Sequence, residues 1–260
     1  MSDSLRDLTV EIGDDFVAVV EIHRPPNNYF DVGLVNDLVG VYRELDADPR
    51  CRAIVLCSEG KHFCAGADFV GRSSTAAPAG DTTRTLYSRA AQLFETSTPV
   101  VVAIQGAAVG GGLGLACAGD FRVACPEARL TANFARLGFH HGFGLSVTLP
   151  RIVGQQRALE MLYTGKRLTG DEAFAIGLVD RLVPLASLRD EARTFAVDIA
   201  KSAPLSLAAI RQTMRGEVAA LVRAATVHEA DVQEVLRPTA DFSEGVAADA
   251  QRRPPQFLGR

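Results

Sequence analysis

The chain is poor in the features that mark several protein classes. It has five cysteines in 260 residues, at positions 51, 57, 64, 117 and 125. They are too few and too scattered for a disulfide framework. Most sit in apolar runs and are expected to be buried, reduced thiols. None stands at zinc-ligand spacing from a histidine, so no metal is expected. An excess of one charge is also lacking. Lys and Arg number 27 against 31 Asp and Glu, a formal charge of −4. That balance gives no general attraction to nucleic acid; Arg252-Arg253 is the one hint of a local basic patch. No apolar run approaches about 18 residues. The opening MSDSLRDL carries no basic-then-apolar signal. These absences lead to the expectation of a soluble cytoplasmic protein with no nucleic-acid or membrane partner.

What is present reads as an α/β chain. With 47% hydrophobic and 22% charged residues, the composition is ordinary for a globular protein. The length suits one large domain, or one with a helical appendage, and allows a sizeable core. FVAVVEIHRP (16–25) reads as a strand running into a loop. Asp31 is placed to cap a helix whose Leu34, Leu38, Val41, Tyr42 and Leu45 share a face. RAIVLCS (52–58), PVVVAIQG (99–106) and FRVAC (121–125) are short, continuous apolar runs, the pattern of strands covered on both faces. RSSTAAPAGDTT (72–83) reads as a mobile surface loop. Beyond about residue 155 the texture is helical, with only LVDRLVP (178–184) extended.

The strongest chemical signals are two turns, each following a buried strand: FCAGADF (63–69) and AVGGGLGLA (108–116). Three successive glycines allow a tight turn and close approach to a ligand. The helix opened by LGLACA would begin with unpaired N–H groups aimed at whatever sits there. Fixed donors of that kind suit an oxyanion hole. A GGG turn alone reads more readily as a tight turn or close packing of elements. A phosphate loop would need a lysine or a partner acid that this stretch lacks.

Taken together and in order, these motifs resemble the crotonase (enoyl-CoA hydratase/isomerase) family. HFCAGADF is similar to its first oxyanion loop, and IQGAAVGGGLGLACAGDFRVA to its second. LPRIVGQQRALEMLYTGKRLTGDEAFAIGLVDRLVP and the tail DFSEGVAADAQRRPPQF extend the likeness over nearly the whole chain. The resemblance implies an α/β spiral of ββα repeats over 1–195 and a C-terminal helical trimerisation region over 196–260. It also implies a homo-trimer or hexamer, and an enzyme of hydratase, isomerase or lyase type in fatty acid metabolism. The ligand would be an acyl-CoA thioester, a substrate rather than a cofactor, and no separate cofactor is expected. The backbone N–H groups of Ala67 and Gly111 would hold the thioester oxygen. Pro26, Ala65, Gly66, Asp68, Val109, Gly110, Gly114, Phe134 and Gly142 would lie along the substrate.

The likeness breaks where hydratases of the family carry their two water-activating glutamates. Those positions are Gly114 and Phe134, and neither moves a proton. The nucleophilic aspartate of the family's dehalogenases would fall at Gly142, and is also missing. Members resembling naphthoate synthases carry an aspartate where this chain has His141. That makes His141 the candidate acid/base, with a packing role as the alternative. His140 next to it points elsewhere if the turn is extended. Asp68 reads as a cap for the next helix, Cys64 as a buried small residue, and Asp120 as structural. Tyr87 and Glu95 are possible proton donors without an assigned place. Phe134, Phe139 and Phe143 would add apolar wall, suited to a hydrophobic or cyclic acyl group. Two other readings stay open: a carbon–carbon bond hydrolase acting on a cyclic diketone or its thioester, and a non-catalytic acyl-CoA-binding protein.

Overall fold

Alternating side chains in Leu8–Ile12 (β1) form a strand not expected from the sequence, because only Leu8 of its five residues is buried. It pairs antiparallel with Val17–Ile22 (β2). The structure, a computed structural model, describes residues 7–68 and 83–260. The expected loop at 72–83 therefore lies outside the described residues, apart from Thr83. After β2 comes the helix Val32–Ala47 (α1), where the Asp31 side chain accepts from the Leu34 N–H at 2.9 Å. Leu34, Leu38, Val41, Tyr42 and Leu45 are all buried, as their spacing predicts.

Next come Ala53–Ser58 (β3) and Thr83–Ala90 (α2), which runs into a short 3₁₀ turn. Val100–Ile104 (β4) joins the first sheet, and Ala107–Val109 (β5) crosses to a second. Gly111–Ala118 (α3) follows. Phe121–Ala124 (β6) and Arg129–Thr131 (β7) repeat the pattern, one strand in each sheet. A 3₁₀ turn over Asn133–Leu137 closes that repeat. The result is a spiral of strand–strand–helix units. Leu145–Val153 (α4) and Gln155–Thr164 (α5) lead to Leu168–Thr169 (β8), Gly170–Ala175 (α6) and Arg181–Leu182 (β9). The larger sheet has the order β1-β2-β3-β4-β6-β9, and β5-β7-β8 form the smaller one. From β2 to β9 the larger sheet is parallel.

A parallel sheet covered on both faces explains the unbroken apolar runs. Ile54, Leu56, Val102 and Ile104 face the main core. Val55, Val101, Ala103 and Val123 face the helix Leu188–Ala200 (α7), which meets them with Leu188, Ala192, Ala196 and Ala200. This four-residue spacing puts small side chains on one stripe, so helix and sheet approach closely. The expected boundary between residues 195 and 196 falls inside α7, whose stripe packs on the sheet on both sides of it. Proline opens the next helix, Pro204–Leu236 (α8), at a position where its missing N–H has no intrahelical use. Thr239 caps the last helix, Ala240–Ala250 (α9).

Ionic contacts pin α8 to the core. Asp120, after α3, accepts from the Val100 N–H at 2.8 Å and from Arg211 Nε at 3.0 Å, with Arg215 Nε 3.1 Å away. Arg211 also donates to the Thr96 carbonyl. All five cysteines are free and buried. Burial pushes the Cys64 thiol up to about 12, which rules it out as a ready thiolate. No helix among the described residues is long and apolar enough to cross a membrane.

Candidate active site

The two glycine-containing turns lie side by side because the first is laced to β5. Phe63 N–H donates to Gln105 O at 2.8 Å and Cys64 N–H to Ala107 O at 2.9 Å, while Val109 N–H returns to Cys64 O at 3.0 Å. The buried Asn28 braces the same turn through its amide, at 2.9 Å from Glu59 O and 2.6 Å from His62 O. His62 holds the turns together as well, since its Nδ1 accepts from the Ala107 N–H at 3.1 Å. Burial, with the Lys61 charge second, lowers its pKa, which keeps the ring neutral as an acceptor. A Cβ on Gly112 would stand 2.2 Å from Cys64 O, so contact between the turns requires glycine there.

Gly110 has φ 56° and ψ −117°, a conformation open essentially to glycine alone. Its N–H donates to Thr131 O at 2.9 Å. Gly111 is then the first residue of α3, where an N–H has no intrahelical acceptor. Among the described residues, neither the Gly111 N–H nor the Ala67 N–H donates to a backbone carbonyl. Both residues line one cavity of about 140 Å³.

Of the residues expected along a substrate, Ala65, Gly66, Asp68, Val109, Gly110 and Phe134 line this cavity with them. Pro26, Gly114, His141 and Gly142 do not. Pro26 is exposed, and the segment it belongs to contributes Tyr29 and Phe30 instead. Phe139 and Leu137 extend the apolar wall, and Leu86 and Tyr87 of α2 add to it. Phe143 stands behind that wall, fully buried, with its ring 5.3 Å from Phe30. Val246 and Asp249 of α9, and Gln233 and Arg237 of α8 and its end, also line it. The sequence carried no signal for these four, because their place depends on how the terminal helices dock. The residues that Asp68 was expected to cap lie outside the described ones. Glu95 pairs with Arg223 and Arg43, away from the cavity. Among the described residues, no cluster of three or more His, Cys, Asp or Glu is arranged to hold a metal.

At Gly114, where the resemblance puts a hydratase's first glutamate, a Cβ would fall 2.5 Å from Phe143 Cβ. Phe143 itself has φ 60°, unusual for a bulky residue. Gly114→Ala should therefore lower the unfolding free energy by about 1–3 kcal/mol through overpacking. A loss below about 0.5 kcal/mol in a urea titration would mean that the Phe143 ring yields freely.

His141 is turned away from the cavity, contrary to the role expected for it. The loop over residues 139–146 is gripped from α8 by two wholly buried side chains four residues apart, hence on one helix face. Glu229 accepts from Gly144 N–H at 2.9 Å, Ser146 N–H at 3.1 Å and Ser146 Oγ at 2.6 Å. Gln233 Nε2 donates to His140 O at 2.7 Å and to Tyr87 Oη at 2.8 Å. A carboxylate only accepts, so the Ser146 hydroxyl gives its proton to Glu229 and receives the His141 Nε2–H, 2.9 Å away. The His141 ring stacks on His140 with centroids 4.0 Å apart. Burial, then the neighbouring His140 and His228, push its pKa down to about 4 from the usual 6.5. The unfolded chain therefore binds a proton that the folded one refuses between these values, and stability falls as pH drops through that window. Denaturation midpoints measured from pH about 7 to about 4 should fall less steeply in His141→Gln; equal slopes would remove His141 as the cause.

A spiral of ββα units with two adjoining turn N–H groups on one cavity is the architecture of the crotonases. The family model for enoyl-CoA hydratase/isomerase matches residues 13–260. The chain is 33% identical to (E)-benzylidenesuccinyl-CoA hydratase of Thauera aromatica over 258 residues, covering 97% of this chain and 99% of that one. It is 30% identical to carnitinyl-CoA dehydratase of Escherichia coli K12, covering 93% and 94%. The crystal structure of an enoyl-CoA hydratase/isomerase from Pseudoalteromonas atlantica superposes with a TM-score of 0.84 at 29% identity, covering 97% of this chain and all of that one. The chain belongs to the enoyl-CoA hydratase/isomerase family, within the crotonase superfamily.

Proposed function

We propose that this protein is an enzyme that binds an acyl-CoA thioester with its carbonyl oxygen between the N–H groups of Ala67 and Gly111, and stabilises the enolate formed there. The observation that carries the reading is the pair of N–H groups, free of backbone acceptors among the described residues, at one small cavity. A thioester enolate places its charge on one oxygen, and preorganised backbone donors favour that state over the neutral carbonyl. Gly114 and Phe134 offer no carboxylate for activating water, so the chemistry argued for is proton movement at the carbon α to the thioester. The wall formed by Phe30, Phe134, Phe139 and Tyr87 suits a cyclic or aromatic acyl group. The name of the Thauera relative, with its benzylidene group, points the same way. Exposed Leu205, Ile210 and Met214 on α8 favour a homo-oligomer, a trimer or paired trimers.

A non-catalytic acyl-CoA-binding protein is the second reading. It is favoured by Phe143, which fills the space over Gly114 where a hydratase's first glutamate would stand. The hydrolase reading draws on histidine and acidic residues; Asp68 and Asp249 line the cavity, but among the described residues no histidine does. Exchange of α-protons of cyclic and aromatic acyl-CoA esters in deuterated water separates the first two. Catalysed exchange supports the enzyme. Saturable binding without exchange leaves the binding protein, and no binding at all removes both.

A further inference from the structure

Gln233 and Tyr87 meet inside the wall of the cavity, and the chemistry of their contact fixes where one proton goes. The Gln233 atom facing the His140 carbonyl, 2.7 Å away, has to be the amide nitrogen, because a carbonyl oxygen only accepts. The same nitrogen lies 2.8 Å from Tyr87 Oη. Its two hydrogens therefore go to His140 O and Tyr87 Oη. The tyrosine hydroxyl is the acceptor in that bond and must direct its own proton elsewhere. Among the described residues the Tyr87 hydroxyl makes no other hydrogen bond.

Tyr87 is 5% exposed, so bulk water does not freely take up this proton. Burial, and after it the charge of Glu229, raise the phenol's pKa and keep it protonated. Gly142 allows the hydroxyl to sit where it does: a Cβ there would stand 1.8 Å from Tyr87 Oη. Both Tyr87 and Gln233 line the cavity, whose nearby surfaces are the apolar Phe30, Leu86 and Phe139. A buried O–H with no acceptor is unfavourable, a penalty that a ligand oxygen removes.

We propose that Tyr87, positioned by Gln233, is a specificity residue: it donates a hydrogen bond to an oxygen carried by the acyl group, beyond the thioester itself. The preferred substrates are then acyl-CoA thioesters bearing a hydroxyl, oxo or carboxylate oxygen, rather than plain hydrocarbon chains or rings. This inference rests on the acyl-CoA reading above. Gln233 acts only through Tyr87.

Calorimetric binding of a positional series tests it: cyclohexanecarboxyl-CoA and phenylpropionyl-CoA against their hydroxy-, oxo- and carboxy-substituted forms. At least one oxygenated ester should bind about tenfold tighter than its parent. Tyr87→Phe should remove that preference, so that the parent and oxygenated esters bind alike. Gln233→Glu should remove it too with the phenol intact, because a carboxylate accepts and draws the Tyr87 proton to itself. A preference that survives Tyr87→Phe overturns the inference, as does equal binding of parent and substituted esters, the outcome if a cavity water satisfies the hydroxyl. Failure of every ester to bind the wild-type protein instead overturns the acyl-CoA reading beneath it. Should Gln233→Glu unfold, as judged by circular dichroism, Tyr87→Phe alone decides.

Discussion

Replacing Ala67 with proline should lower catalysed α-proton exchange by about 10²–10³-fold, with little effect on binding of free CoA. Proline deletes the N–H and keeps the Cβ. Gly66 just before it has φ 96° and is the residue type that best tolerates the added restriction. Two donors share the charge of an enolate oxygen, so removal of one leaves the other unaided. The deficit should appear in kcat rather than KM, because the N–H contributes more as the charge develops. Free CoA has no thioester oxygen and serves as the control for an intact site. Exchange within about threefold of wild type, with normal CoA binding, would sink the assignment of Ala67.

Truncating Glu229, which holds the 139–146 loop from α8, should have the largest effect on stability. The side chain is fully buried and takes three hydrogen bonds from Gly144 and Ser146. Glu229→Ala leaves those donors without a partner; Gly144 is buried, so its N–H bears the full cost of an orphaned donor, about 1–3 kcal/mol, whereas water reaches the exposed Ser146. A total loss of about 2–4 kcal/mol is expected from urea unfolding. Glu229→Gln keeps one acceptor oxygen but presents an amide to a donor, and should fall between the two. The turn at Phe143, with its φ of 60°, depends on this grip. Weaker ligand binding in Glu229→Gln should therefore accompany the lower stability. A loss below about 1 kcal/mol for Glu229→Ala would show that water or loop movement replaces the carboxylate.

Much of the frame was legible along the chain. The strands β3, β4 and β6 are continuous apolar runs because a parallel sheet covered on both faces leaves no polar side. Asp31 announced α1 because its side chain satisfies an N–H within reach in sequence. Strand β1 was missed because four of its five residues are not buried, so apolar content gave it no weight. The break between α7 and α8 is local chemistry as well, a proline at the first turn of α8.

The strand–turn–helix units, the two glycine-containing turns and the positions of their N–H groups follow from the order of residues, because each depends on neighbours only a few places away. Which side of the 139–146 loop faces the cavity does not. Glu229 and Gln233 set that orientation from α8, through bonds to Gly144 and His140 that span 85 and 93 residues of chain. No local pattern around His141 carries information about a helix so far along. Burial of those two polar side chains is tolerable only where they find hydrogen-bond partners. Meeting them turns the histidines toward α8 and makes the Tyr87 hydroxyl an acceptor from Gln233.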